Sequence, residues 1–358
     1  MIMLPFTFAQ RPPRAQRKGM LAIFLLSLCT LELSVSANAQ IATLSTFDPP
    51  GSVSTAPTSI NSAGAITGNY TDANNVTHGF LRSPDGTFTT FDAPGSTSII
   101  ATSINPAEAI TGYYFDRTFL GHGFLRARNG TFTTFDPPGS VEAVAVSINP
   151  SGEITGSYLD TSGVEHGFLR APDGTLETFD PAGSRGTFPA SINPAGTITG
   201  LQEGGIDVHG FFRSRDGTFT TFDPPGSADT MPTCMNPGGV IAGSYAESAE
   251  GRPVTHGFLR FRNGTFTTFD GPGASATNPG SINAAGEITG TYLDSSSVTH
   301  GFLRSGQGLF VPLDVPGSIV TGPTSINDAG EITGSYLDEN FVQHGFLRSH
   351  ARERLSQQ

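Results

Sequence analysis

The chain has 358 residues, with 45 Gly, 26 Pro, no Trp, only 14% charged residues and a formal net charge of −12. A glycine- and proline-rich chain with so few charges excludes a disordered polyelectrolyte and argues for a β-rich protein with many tight turns. The acidic balance disfavours nucleic acid and anionic membrane surfaces as partners, because both repel it.

The first segment in chain order reads as a secretory leader. Arg11, Arg14, Arg17 and Lys18 precede an apolar stretch beginning at Leu21–Leu28, and Ala37-Asn38-Ala39 supplies the small-x-small cleavage pattern. Ser27, Thr30 and Glu32 interrupt the apolar stretch well short of the ~20 residues a membrane span needs. The expected organisation is a signal peptide over 1–39, one domain over 40–349 and a short disordered tail over 350–358. Cleavage near Ala39 removes four basic residues and Glu32, leaving 15 basic and 30 acidic residues and a charge of −15. Cys234 is then the only cysteine, so no intramolecular disulfide can form. A secreted monomer with no membrane span after cleavage is expected, extracellular or periplasmic.

After the leader, the tripeptide His-Gly-Phe recurs seven times, at His78, His122, His166, His209, His256, His300 and His344, with intervals of 44, 44, 43, 47, 44 and 44 residues. Between copies the same short segments return in order. Thr87–Asp92 leads through Pro94-Gly95-Ser96 to Thr102-Ser103-Ile104-Asn105, then Ala109–Tyr114, then His122–Arg126. Each is rich in Thr, Ile, Phe or Tyr and bounded by Gly, Pro, Asn or Asp, which are strand and turn signals. Helical periodicity is missing after the leader. Asn61–Gly64 and Pro84-Asp85-Gly86 predict tight turns; the connections after Phe-Asp-x-Pro-Gly and between Tyr-x-Asp and His are expected to be looser.

Four strands in about 44 residues, repeated, predict an all-β, seven-bladed β-propeller. Thr43–Asp48 stands alone at the start and the last unit lacks its final strand after Arg348, so the N-terminal strand is expected to complete the last blade. An open β-solenoid is the other architecture such a repeat permits.

At HGFLR, SINxxGxITG and the 44-residue period, the chain resembles the bacterial extracellular HAF repeat family, named for His-Ala-Phe, with Gly here in place of Ala. The resemblance covers essentially the whole mature chain. It implies a secreted, propeller-like repeat protein and no particular activity.

Groups that recur once per repeat are read first as structure. If Pro84-Asp85-Gly86 forms a three-residue loop, His78 falls opposite Asp92, and the same holds for Asp136, Asp180, Asp223, Asp270, Asp314 and, across the ends, Asp48. Such pairs could be acid/base dyads, but seven copies favour hydrogen-bonded struts. A two-residue loop would shift the register and break them. The arginines closing each HGF segment (Arg82, Arg126, Arg170, Arg213, Arg260, Arg304 and Arg348) could form an anion-binding ring; pairing with carbonyls or carboxylates is favoured. Phenylalanines at the GF, TF and FD positions are expected in the core, leaving Phe119, Phe188 and Phe341 for stacking on a sugar.

An acid follows the Tyr strand at Asp72, Asp116, Asp160, Glu247, Asp294 and Asp338, while Gln202 and Gly204 break the pattern. Calcium is conceivable there, but turn initiation by Asp is favoured. No cofactor motif, nucleophile elbow or metal cluster is present, so no cofactor or metal is expected. Departures from the repeat gather in the looser segments: Glu142, Arg185, Phe188, Asp229 and Met231, with Ala249–Pro253 inserted in the fifth unit and Cys234 replacing Ser. A ligand is expected to meet those residues. The reading is a non-enzymatic binding or scaffold module for a protein or glycan; the alternative is a propeller hydrolase or lyase with its site at the channel mouth.

Overall fold

The computed structural model describes residues 42–247 and 254–350. The expected leader, the Ala249–Pro253 insertion and the tail beyond His350 lie outside the described residues. Among those described there are 28 strands and no helix. The repeat units are numbered below by their His-Gly-Phe copy.

The first unit shows how the sequence sets each strand. Its SIN strand is Ser52–Ile60, its ITG strand Ile66–Asp72, its HGF strand Thr77–Arg82 and its TFD strand Phe88–Phe91, paired antiparallel in that order. Asn61 closes the first turn: Gly64 N–H donates to its carbonyl at 3.0 Å, and its side-chain oxygen accepts from the N–H groups of Ala63 and Ala65. Gly64 sits at φ +86°, where a side chain would be strained. The Pro84-Asp85-Gly86 loop has three residues, since Ser83 N–H donates to the Thr87 carbonyl and Arg82 then faces Phe88.

One connection differs from expectation. The segment after Tyr-x-Asp is as tight as the others: Asp72 N–H donates to the Val76 carbonyl at 3.0 Å. The Asp72 carboxylate accepts from the N–H groups of Asn74 and Val76, a local bond that lets Asn75 take φ +60°. The link from each TFD strand to the next SIN strand varies, from four residues at 48–51 to seven at 313–319. Successive connections fall on opposite ends of the strands, so each unit has a turn face (61–65 and 83–87) and a loop face (72–76 and 92–97).

Strand Ala42–Phe47 pairs with Gln343–His350, from Ala42 opposite His350 to Phe47 opposite Gly345. His350, assigned to the tail from sequence, is therefore the last residue of a strand; the partner strand Ala42–Phe47 carries the pairing that far. No sheet closes on itself. Three sheets have four strands, and two have eight because one-residue parallel bridges, Glu142–Gly121 and Thr255–Ala276, join neighbouring units.

Units are held to each other by core and by polar bonds. Phe80, Phe124, Phe168, Phe211, Phe258, Phe302 and Phe346 are fully buried. Each contributes on the order of 2–3 kcal/mol by leaving water. One cluster joins Leu81 and Phe91 of the first unit to Ile99, Ile110 and Phe124 of the second. A bulge between Pro57 and Ser59 frees Thr58 to donate to the Ala101 carbonyl of the next SIN strand at 2.8 Å. Asn side chains make a second chain of bonds, Asn61 to Asn105, Asn105 to Asn149 and Asn149 to Asn193, each through Nδ2 to the next carbonyl. It continues from Asn236 to Asn283, Asn283 to Asn327 and Asn327 to Asn61. Between the fourth and fifth units the pattern breaks, and Asn193 reaches only Met235 Sδ at 3.8 Å.

Candidate functional site

On the loop face six of the seven histidines are held from three sides. His78 Nδ1 lies 2.9 Å from Asp92 Oδ1, its Nε2 3.7 Å from Asp72, and its ring stacks on Tyr70 with centroids 5.1 Å apart. The Nδ1 contact to the Asp after the TFD strand recurs at His122–Asp136, His166–Asp180, His209–Asp223, His256–Asp270, His300–Asp314 and His344–Asp48. The three-residue loop sets this register. Tyr70 recurs as Tyr114, Tyr158, Tyr245, Tyr292 and Tyr336, each against its histidine.

The fourth unit departs: Gln202 stands opposite His209 and Gly204 replaces the acid, so His209 keeps only its Asp223 contact. Some of the Asp carboxylates are bound further. Thr55, Thr187 and Thr230 donate to Asp48, Asp180 and Asp223 at 2.6–2.7 Å.

These bonds shift the titrations. The hydrogen bond to Asp314, helped by Asp294 and opposed by burial, raises His300 above the ordinary histidine value. At His166 burial opposes the charged form but is outweighed by Asp180 and Asp160, and the result is again upward. Asp116 falls to about 2, chiefly through the Thr118 hydroxyl, and Asp160 to about 2 through the Val164 N–H and Ser162. Among the described residues no group of three or more His, Cys, Asp or Glu is placed to hold a metal ion.

The variable residues occupy neighbouring SIN strands and the links before them. Glu142 is half-buried in Ser140–Ile148, opposite Gly121, where a Cβ would meet its Cγ at 2.6 Å. Arg185 is exposed, with its N–H on the Glu203 carbonyl. Phe188 is half-buried in Gly186–Ile192. Asp229 accepts from Val208 N–H at 3.1 Å, and Met231 is half-buried beyond it in Ser227–Met235. No hydrogen bond or ion pair joins these side chains to one another among the described residues. Phe119 and Phe341, by contrast, are 84% and 76% exposed at the tips of loop-face turns, both at positive φ.

Sequence reasoning passed over Glu165, beside His166. One of its carboxylate oxygens is buried with no partner; burial raises its pKa, as do the charges of Glu142 and Glu203, against a Ser157 hydrogen bond. The signal was available, because the residue before the histidine is Thr, Gly, Val or Gln in the other units.

On the turn face the expected pairing with carbonyls holds at Arg170 and Arg304, whose Nη1 groups donate to the Ala171 and Ser305 carbonyls at 3.2 and 3.5 Å, and six of the seven arginines lie over a ring. Arg82 lies over the Phe47 ring at 4.9 Å, and Arg126, Arg170, Arg213 and Arg304 lie over Phe91, Phe135, Phe179 and Phe269 of the preceding unit at 4.6–5.1 Å. Arg260 lies over both Phe212 and Phe222. The weakly hydrated, planar guanidinium can take a ring face in place of water. Carboxylate pairing survives at Arg213, whose Nη2 bonds Glu177. Cys234 packs beside Ala242 and Leu259; part of the residue reaches solvent, but desolvation of its thiol pushes the pKa up to about 12.

No known family model matches the chain, and no curated protein matches it by sequence. Solved structures do. Streptogramin B lyase is similar over 86% of this chain and 97% of its own, at 13% identity and a TM-score of 0.58. A prolyl endopeptidase matches over 83% of this chain at 10% identity and a TM-score of 0.61, and puromycin hydrolase over 84% at 12% and 0.56. The chain spans only 48% and 53% of those two proteins. At such identities the likeness shows the fold alone, which is all-β and propeller-like.

Proposed function

We propose that the chain is a secreted, non-enzymatic binding module whose repeat units form a closed seven-bladed propeller. Closure is supported by the pairing of Ala42–Phe47 with Gln343–His350 and by the Asn327-to-Asn61 bond, which tie the last unit to the first.

The observation that carries the non-enzymatic reading is the commitment of the histidines. Each of the seven is engaged at Nδ1 by an Asp, and six also lie against a Tyr ring. A group bound this way in every unit holds the loop face in shape and has no reason to single out one reacting atom. The ligand proposed is a glycan on the loop face, stacking on Phe119 and Phe341, because an aromatic face exposed at a turn tip suits the apolar face of a sugar. Glu142, Arg185, Phe188, Asp229 and Met231 are the proposed polar and apolar contacts around it.

The test is thermal denaturation against a panel of neutral oligosaccharides. A binder raises the melting temperature of the native protein, and Phe119→Ala with Phe341→Ala removes that rise without lowering the melting temperature of the free protein. Release of a cleavage or elimination product from any oligosaccharide would establish an enzyme and overturn the reading.

A further inference from the structure

A cavity of about 270 Å³ opens on the turn face where the fourth and fifth units meet. Its walls include Thr197, Phe212 and Ser214 of the fourth unit and Gly239, Arg260 and Arg262 of the fifth. It coincides with the break in the asparagine chain, where Met235 stands in place of the usual Ile.

The electrostatics of this slot differ from those of its equivalents. The position of Arg262 is occupied by arginine in two other units, and both are neutralised: Arg128 Nε lies 3.2 Å from Glu108, and Arg215 Nη2 lies 3.0 Å from Glu153. Glu153 corresponds to Thr197 in the next unit, so the carboxylate that would meet Arg262 is replaced by a hydroxyl. The turn after the HGF strand also loses its acid, with Asn263 where Asp85, Asp173 and Asp216 stand elsewhere. Arg260, like Arg126, Arg170 and Arg213, is more than nine-tenths buried with no partner at Nε, and two ring faces accompany its guanidinium. Two guanidinium groups therefore line one cavity with no carboxylate among the lining residues.

We propose that this slot binds a small oxyanion ligand, a carboxylate, sulfate or phosphate group, held by Arg260 and Arg262 with the Thr197 and Ser214 hydroxyls. Guanidinium forks match such groups through paired N–H donors. The anion sheds water on entering, a cost that the two guanidinium groups and the hydroxyls must offset with close hydrogen bonds. The ligand supplies the negative charge that Glu153 supplies in the preceding slot. The site lies on the face opposite Phe119 and Phe341 and goes beyond the glycan reading.

Titration calorimetry of the purified protein with glucuronate, inorganic sulfate and inorganic phosphate, against neutral glucose, tests it. At least one anion is expected to bind and glucose is not. Thr197→Glu, which installs the carboxylate seen beside Arg215, should weaken anion binding at least tenfold and leave the melting temperature equal or higher. Arg262→Gln, on an exposed turn, should weaken it similarly. No anion binding up to about 10 mM, or equal binding by wild type and both variants, overturns the site. Phe119→Ala should leave anion binding unchanged, so that failure of the glycan reading and failure of this site are read separately.

Discussion

Asn327 donates its side-chain amide to the carbonyl of Asn61 at 3.0 Å, joining residues 266 apart in the chain. Asn327 also accepts from the N–H groups of Ala329 and Glu331 within its own turn. Asn327→Ala removes these bonds and leaves a buried carbonyl bare, at a cost of about 2–4 kcal/mol. Deleting residues 42–48 should cost more, since it strips the strand opposite Gln343–His350. Urea denaturation measures both, and a deletion that melts like wild type would mean that the ends do not support each other.

Gly79 faces Phe91, and a Cβ on it would lie 2.2 Å from the ring. Five of the six other His-Gly-Phe glycines, Gly123, Gly167, Gly210, Gly257 and Gly345, meet a Phe ring in the same way, while Gly301 meets the Leu313 carbonyl. Gly79→Ala should destabilise by about 1–3 kcal/mol through overpacking. Phe91→Leu in the same chain should recover part of that loss, because it vacates the space the methyl needs. Additive losses in the double variant would contradict this account.

Arg126 lies 4.8 Å from the centre of the Phe91 ring in the preceding unit. Arg126→Lys keeps the charge but loses the planar stack, and should cost about 1 kcal/mol. A double-mutant cycle with Phe91→Leu isolates the term. A coupling energy near zero would reduce the contact to simple packing.

The raised His300 and His166 give stability a definite pH dependence. A histidine whose folded pKa exceeds its unfolded value of about 6.5 stabilises fully below that value and loses the effect as pH rises through the folded one. The lowered Asp116 and Asp160 act on the other limb, stabilising above the ordinary Asp range and losing the effect as pH falls through about 2. The melting-temperature gap between wild type and His300→Gln should therefore shrink as pH rises from about 6 to about 9. A gap constant across that range would remove the charge from the explanation.

With its pKa pushed up to about 12, Cys234 stays a thiol at neutral pH. Alkylation by iodoacetamide at pH 8 should be slow in the native protein and rapid in urea, since the thiolate is the reactive form. Equal rates would show the thiol to be accessible.

The period of His-Gly-Phe and the strand-and-turn alphabet within it were legible in the chain, whereas the pairing of His78 with Asp92 followed only on the condition of a three-residue loop, which the structure supplies. The strand and turn signals and the His78–Asp92 pair depend on neighbours fewer than fifteen residues apart, where a proline–glycine loop sets the register and a one-residue change flips it. Asp72 was read as starting a turn but the turn was expected to be loose, because the residues that follow this acid differ from unit to unit while its carboxylate caps the backbone in the same way. The seat of Arg126 on Phe91 and the gap between Thr197 and Arg262 came only from the tertiary structure. Both are contacts from one unit to the next, and no pattern within a single repeat records what the neighbouring unit presents to it.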